Sequence, residues 1–194
     1  MFGILAISII EEGNSMLETL KNKTVNALLK ILASDSPSRK RLSDPELIIR
    51  GAGVRSGQKV LEVGCGRGFF TLPLAETVGQ GGYLYALDVT QAAVDYVIRK
   101  VEAANLSNTR AFKANALDSG MSGGAVDLVL LFGVIPSPTL PLSRLLPEMH
   151  RVLNSSGSLA VWTAVPGWSP QTIVQSGLFD YIGKINNVHN FRRV

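Results

Sequence analysis

The chain has 194 residues and a formal charge of +4, from 19 Lys and Arg against 15 Asp and Glu. At 46% hydrophobic and 18% charged residues it is excluded from the disordered and low-complexity classes, and its length predicts one main globular domain. A single cysteine, Cys65, excludes a disulfide framework and a multi-cysteine metal site, and His150 and His189 stand too far apart in sequence to suggest a metal centre.

The first ten residues are apolar, but no Lys or Arg precedes the run and Glu11-Glu12 ends it. It is half the ~20 residues a membrane helix needs, so it reads as a packed or frayed segment, with Met16 an alternative start that would leave 1–15 outside the native chain. No membrane span is expected, and the cysteine usage fits a reducing, cytoplasmic setting. Apolar residues from 17 to 32 recur at helical spacing, so 1–43 is assigned as an N-terminal helical segment and 44–194 as the main domain. The basic excess is spread thin: nine Lys and Arg fall in 1–60 and ten in 61–194, with Arg39-Lys40-Arg41 the one run. A nucleic-acid face would cluster them, so no nucleic-acid partner is expected.

Ser43-Asp44-Pro45-Glu46 starts a helix, with Ser43 and Glu46 at capping-box spacing, and that helix ends near Gly51 to Gly53. Beyond Gly57 short apolar strands alternate with helical stretches. Strands are predicted at 60–63, 83–87, 110–114, 126–132 and 159–163, with helices at 70–78, from Thr90 through Val101, and at 142–153. The 126–132 run is almost wholly apolar, as in a strand buried on both faces. Ser169-Pro170 opens a short helix closed by Gly177, and segments 179–185 and 188–194 flank the turn Asn186-Asn187. Together these predict an α/β fold: a doubly wound, mostly parallel, Rossmann-like sheet of seven strands with a C-terminal antiparallel hairpin.

The chemistry is expected where the first strand meets its helix, at Val60-Leu61-Glu62-Val63-Gly64-Cys65-Gly66-Arg67-Gly68-Phe69-Phe70. Glycines at alternate positions let bare backbone N–H groups approach a ligand. A dinucleotide fingerprint needs a glycine at position 69, where Phe69 stands, which disfavours a nicotinamide dehydrogenase. Asp88 closes the next strand, 20 residues beyond Gly68. A carboxylate there can accept hydrogen bonds from both ribose hydroxyls.

These residues resemble the class I S-adenosylmethionine-dependent methyltransferases, in particular the type 11 branch related to ubiquinone and menaquinone biosynthesis C-methyltransferases. The resemblance runs from about Asp44 to the C-terminus and rests on the glycine loop, on Tyr85-Ala86-Leu87-Asp88, and on Met149-His150-Arg151-Val152-Leu153-Asn154-Ser155-Ser156-Gly157. It implies S-adenosylmethionine as cofactor, with S-adenosylhomocysteine as product. Glu62, Gly64, Cys65, Gly66 and Gly68 would form the loop around its methionine end, Asp88 would take the ribose, and Val89 would pack on adenine. Asn115 and Ala116 would meet the adenine edge, with the Asn115 carbonyl offered to the exocyclic amine. Phe132 and Gly133 would flank the transferred methyl group. Relatives of the branch often carry an acid and a histidine where Gly133 and Pro136 stand.

The implied reaction is an in-line displacement on a small-molecule acceptor, accelerated mainly by proximity. No catalytic residue is assigned. Asp118, Asp127, Glu148 and His150 are the candidate bases, and a structural role is the better reading of each. Cys65 is read as an apolar filler, Trp162 and Trp168 as packing residues, Arg67 as outward-facing and His189 as solvated. An RNA or protein methyltransferase and a non-catalytic scaffold that binds S-adenosylmethionine are the alternatives. The protein is expected to be a monomer or homodimer, and no metal is expected.

Overall fold

The computed structural model describes residues 44–194; the N-terminal helical segment and Ser43 lie outside the described residues. Helix α1, Pro45–Gly51, is capped by Asp44, whose Oδ1 accepts from Glu46 N at 2.9 Å, so the cap sits one residue beyond the predicted Ser43. Pro45 at the first helical position gives up an N–H that would have had no partner.

Strand β1, Lys59–Val63, leads to helix α2, Thr71–Val78, then strand β2, Tyr83–Asp88, and helix α3, Gln91–Ala103. Strands β3, Thr109–Lys113, and β4, Val126–Phe132, precede helix α4, Leu142–Val152. Strand β5, Leu153–Trp162, a single helical turn α5, Gln171–Val174, and strands β6, Phe179–Ile185, and β7, Val188–Arg193, complete the order. One seven-stranded sheet results, ordered β3-β2-β1-β4-β5-β7-β6. The first five strands run parallel, and β7 pairs antiparallel with both β5 and β6. The predicted fold class is the observed one.

Two apolar layers cover the sheet. On one face Val60, Leu84, Leu128 and Leu130 pack against Ile48 and Ile49 of α1 and Leu74 and Val78 of α2. On the other, Leu61, Val129, Leu131, Leu159 and Phe191 pack against Leu145, Leu146, Met149 and Val152 of α4. Six of the seven residues of β4 are buried, as its unbroken apolar run requires of a central strand. Asn186 and Asn187 take φ of 48° and 62°, the turn predicted for the hairpin.

Strand β5 departs from expectation. It starts at Leu153 rather than at 159, pairing Leu153 with Val126, and then bulges before Ser158 rejoins opposite Leu128. Asn154 holds that bulge, donating from Nδ2 to Asp127 Oδ1 at 2.6 Å and accepting from Ser156 N at 3.0 Å. A stretch that reads locally as a turn is thus drawn into the sheet by a partner 27 residues away.

Candidate active site

The carboxyl ends of parallel strands are where an open α/β sheet leaves a crevice. A cavity of about 450 Å³ lies there. Val63, Gly64, Leu87, Asp88, Val89, Ala114, Asn115 and Ala116 line it from β1, β2 and the chain after β3, and Val134, Thr139 and Leu140 close it from the loop after β4. Of the ten cofactor residues read from sequence, Gly64, Asp88, Val89, Asn115 and Ala116 come together on this wall. Among the described residues Asp88 is its one ionisable side chain.

The glycine loop is fastened to β2. Gly64 N and Cys65 N both donate to Leu87 O, at 2.7 and 3.0 Å, and Gly66 N donates to Asp88 Oδ2 at 3.0 Å. Gly64, Gly66 and Gly68 all have positive φ. A side chain at Gly64 would put its Cβ 2.4 Å from Val134 Cγ1, so the loop after β4 rests on bare backbone. Beside Gly66 the space is open among the described residues: none of their atoms beyond its chain neighbours would lie within 4 Å of a Cβ. That bare, unfilled backbone next to a carboxylate suits a nucleoside carrying an amino-acid tail.

Asp88 is more occupied than its position in sequence suggests. Oδ1 accepts from both Thr90 N and Thr90 Oγ1 at 2.9 Å, while Oδ2 takes Gly66 N. A carboxylate has about four acceptor sites, so three are in use. Asn115 is engaged too: its Oδ1 accepts from Leu117 N at 2.9 Å, closing a tight turn, so the carbonyl assigned to adenine already has a backbone donor. Val89 is 65% exposed at the rim, an apolar surface available to a flat ligand.

The other sequence candidates face elsewhere. Glu62 is 3% exposed and accepts from Thr71 Oγ1 at 2.6 Å, on the α2 side of β1. Gly68 N donates to Cys65 O, and a Cβ at Gly68 would touch Val97 of α3 at 3.3 Å. Cys65 is buried with Ala86, Val97 and Val101. Burial first, then the charges of Glu62 and Asp88, push its thiol pKa far up, so it is a protonated filler rather than a nucleophile. Phe132 does not reach the cavity. It lies in phase with Leu128 and Leu130 and packs edge-on to Phe70, 4.9 Å between ring centres, with Trp162 beyond. Val134, Thr139 and Leu140 stand on the wall instead; the one signal in sequence was apolar residues inside a loop rich in Gly, Pro and Ser.

No candidate base lines the cavity. Asp127 accepts from Lys59 N at 2.7 Å at the amino end of the sheet. His150 Nε2 lies 2.9 Å from Val194 O and 3.1 Å from Arg193 Nε, and its ring stands edge-on to Phe179. Asp118 is exposed in the turn beyond Asn115. Arg67 sets its guanidinium 4.5 Å from the centre of the Tyr96 ring. His189, read as solvated, is half-buried: Tyr181 Oη lies 3.1 Å from its Nδ1, and Trp168 stands edge-on at 5.2 Å. Burial and then Lys184 hold its pKa below the ordinary value.

Glu148 positions the wall. It is 9% exposed and accepts from Ser119 N at 2.9 Å and Ser119 Oγ at 2.6 Å, tying α4 to the segment that carries Asn115 and Ala116. Arg151 adds a bidentate pair at 2.7 Å. The Arg151 hydrogen bonds, opposed by burial and helped by Ser119, lower the Glu148 pKa from 4.5 to about 2. A depressed carboxylate stabilises the fold fully above its unfolded pKa and loses that contribution as pH falls through the folded value. Stability measured by urea titration is therefore expected to drop by roughly 2–3 kcal/mol between about pH 5 and pH 2 on this account, and Glu148→Gln should flatten that limb. An unchanged acid limb in the variant would refute the assignment.

With this geometry in place, the profile described as "Methyltransferase domain" matches residues 60–157, just over half of the chain. The chain belongs to this family. A demethylmenaquinone methyltransferase of Geobacillus stearothermophilus is 32% identical over 120 residues, covering 61% of this chain and 50% of the relative. The chain thus spans about half the length of the curated relatives it matches. These findings support a class I S-adenosylmethionine-dependent methyltransferase of the type 11 kind. Among solved structures, a SAM-dependent methyltransferase from Aquifex aeolicus is similar over 84% of this chain and 96% of that one, at 24% identity and TM-score 0.68. The [4+2]-cyclase SpnF also shares the fold, with TM-score 0.63 at 19% identity over 75% of this chain and 58% of its own. That likeness separates fold from chemistry. No helix among the described residues is long and apolar enough to cross a membrane.

Proposed function

We propose that this protein transfers a methyl group from S-adenosylmethionine to a small-molecule acceptor in the cytoplasm. The observation that carries the reading is the cavity at the carboxyl edge, with bare glycine backbone on one side, a single carboxylate, and otherwise mostly apolar walls. Gly64 and Gly66 would present backbone to the methionine end, Asp88 would hold the ribose, Val89 would pack on the base and Ala116 would meet its edge. When bound, S-adenosylmethionine supplies a methyl group already activated by its positive sulfur.

The chain's own task is then to bind, align and keep water out. Val134 and Leu140, packed onto the α4 side of the core, form a dry wall beside Gly64. Alignment of this kind can supply about 7–11 kcal/mol of a barrier without any proton transfer. The absence of a second ionisable group on the described wall fits an acceptor that arrives able to attack, or brings its own acidity.

Relatives named as demethylmenaquinone methyltransferases make demethylmenaquinone the first acceptor to test. Calorimetry with S-adenosylmethionine, followed by an assay for S-adenosylhomocysteine over that acceptor and a metabolite panel, is expected to show binding and turnover. Binding with no turnover on any acceptor would favour the scaffold alternative. No binding at all would overturn the reading.

A further inference from the structure

We propose that the Thr90 hydroxyl is a placeholder for a ribose hydroxyl: it occupies an acceptor site on Asp88 and yields it when the nucleoside binds. The proposal rests on the cofactor reading above. It starts from a count. Both acceptor sites of Oδ1 are filled by Thr90, through its N–H and its Oγ1, and one of Oδ2 is filled by Gly66 N. One site remains, and a ribose diol brings two donors. A paired contact therefore requires one of the three protein donors to leave.

The three are not equally free to do so. Gly66 N belongs to the loop that Gly64 N and Cys65 N clamp onto Leu87 O. Thr90 N is backbone at the start of α3, immediately before its first turn. Moving either would shift an element of the fold. The Thr90 hydroxyl needs only a side-chain rotation, and it is exposed, so water receives it when it turns away.

A second feature supports the assignment. Thr90 stands at the N-cap of α3, where its oxygen would ordinarily accept from the third helical N–H, yet it makes no such bond. The hydroxyl is committed to Asp88 rather than to the helix. Its removal therefore takes no capping bond from α3, and its effect should be read at the carboxylate alone.

The test is calorimetry with S-adenosylhomocysteine on Thr90→Val, Thr90→Ala and Thr90→Ser, each also made on an Asp88→Ala background. Valine and alanine remove the competing donor, so binding should tighten by about three- to tenfold, while serine should behave as the parent. On the Asp88→Ala background the gain should vanish, because the competition is for that carboxylate. A melt of each ligand-free variant reads the other side of the exchange: valine should unfold slightly earlier than the parent without ligand. Unchanged or weaker binding by both Thr90→Val and Thr90→Ala would overturn the placeholder, whatever Asp88→Ala does. If Asp88→Ala itself binds as the parent does, the ribose assignment of Asp88 fails instead, and if the parent binds no S-adenosylhomocysteine the cofactor reading fails; these failures are told apart by comparing parent, Asp88→Ala and the Thr90 variants.

Discussion

Asp88→Ala is expected to weaken S-adenosylmethionine binding by about 30- to 1,000-fold, the loss that goes with about 2–4 kcal/mol of hydrogen bonds to a charged acceptor. Two contributions add in the same direction. The ribose would lose the acceptor proposed for it, and the glycine loop loses the anchor that Gly66 N makes on Oδ2 at 3.0 Å. Asp88→Asn separates them. It keeps one side-chain oxygen but not the charge, so it should fall between parent and alanine. A shortened analogue lacking the ribose hydroxyls should bind parent and Asp88→Ala more nearly alike, differing only by the loop anchor. Equal calorimetric affinity of parent and Asp88→Ala for the full cofactor would remove Asp88 from the site.

Gly64→Ala should be the most disruptive single methyl group in the loop. At φ of 74° a non-glycine residue meets a penalty of roughly 1–2 kcal/mol. The new Cβ would also lie 2.4 Å from Val134 Cγ1, far inside contact distance. Valine is stiff about χ1, so either the loop at 133–135 or the glycine bend must move. A total loss of roughly 2–4 kcal/mol is expected, seen as a melting temperature lower by about 5–15 °C. Because both moving parts wall the cavity, cofactor binding should fall with stability. Adding Val134→Ala should restore the steric part and leave the conformational part, a partial rescue readable in the same melt. If Gly64→Ala melts with the parent, the loop after β4 does not rest on Gly64 as described.

About half of the candidate site was legible in the sequence: five of the ten residues read there line the cavity. Gly64, Gly66 and Gly68 mark a bend because alternate glycines after a strand have few other uses, and Asp88 marks the next strand's end because a charge stops an apolar run. What sequence could not show was who already holds these groups. The three donors on Asp88 and the Leu117 N–H on Asn115 Oδ1 depend on χ angles and on loops folding back, which spacing does not encode. Phe132 stands away from the cavity wall for a different reason. Its period-2 phase with Leu128 and Leu130 was visible, but which face of β4 borders the cavity depends on where α2 and the loop after β4 settle. His189 is half-buried rather than solvated because Tyr181, eight residues away across the hairpin, and Trp168, from the loop after β5, pack on its ring, and local spacing does not show which face of the hairpin they meet.

The amino-acid sequence by itself determined the strand segments, the first half of β5 excepted, the mostly parallel character of the sheet and the final hairpin. Apolar runs of strand length, helical periodicity and Gly, Pro or Asn at the turns are local properties, and each segment's preference agrees with its neighbours. Tertiary structure alone decided the extension of β5 through Asn154 and Asp127, the wall built by Val134, Thr139 and Leu140, and the occupancy of the Asp88 carboxylate. Those outcomes are set by contacts between segments far apart in the chain, where packing and hydrogen-bond competition, rather than local propensity, select the side chain's position.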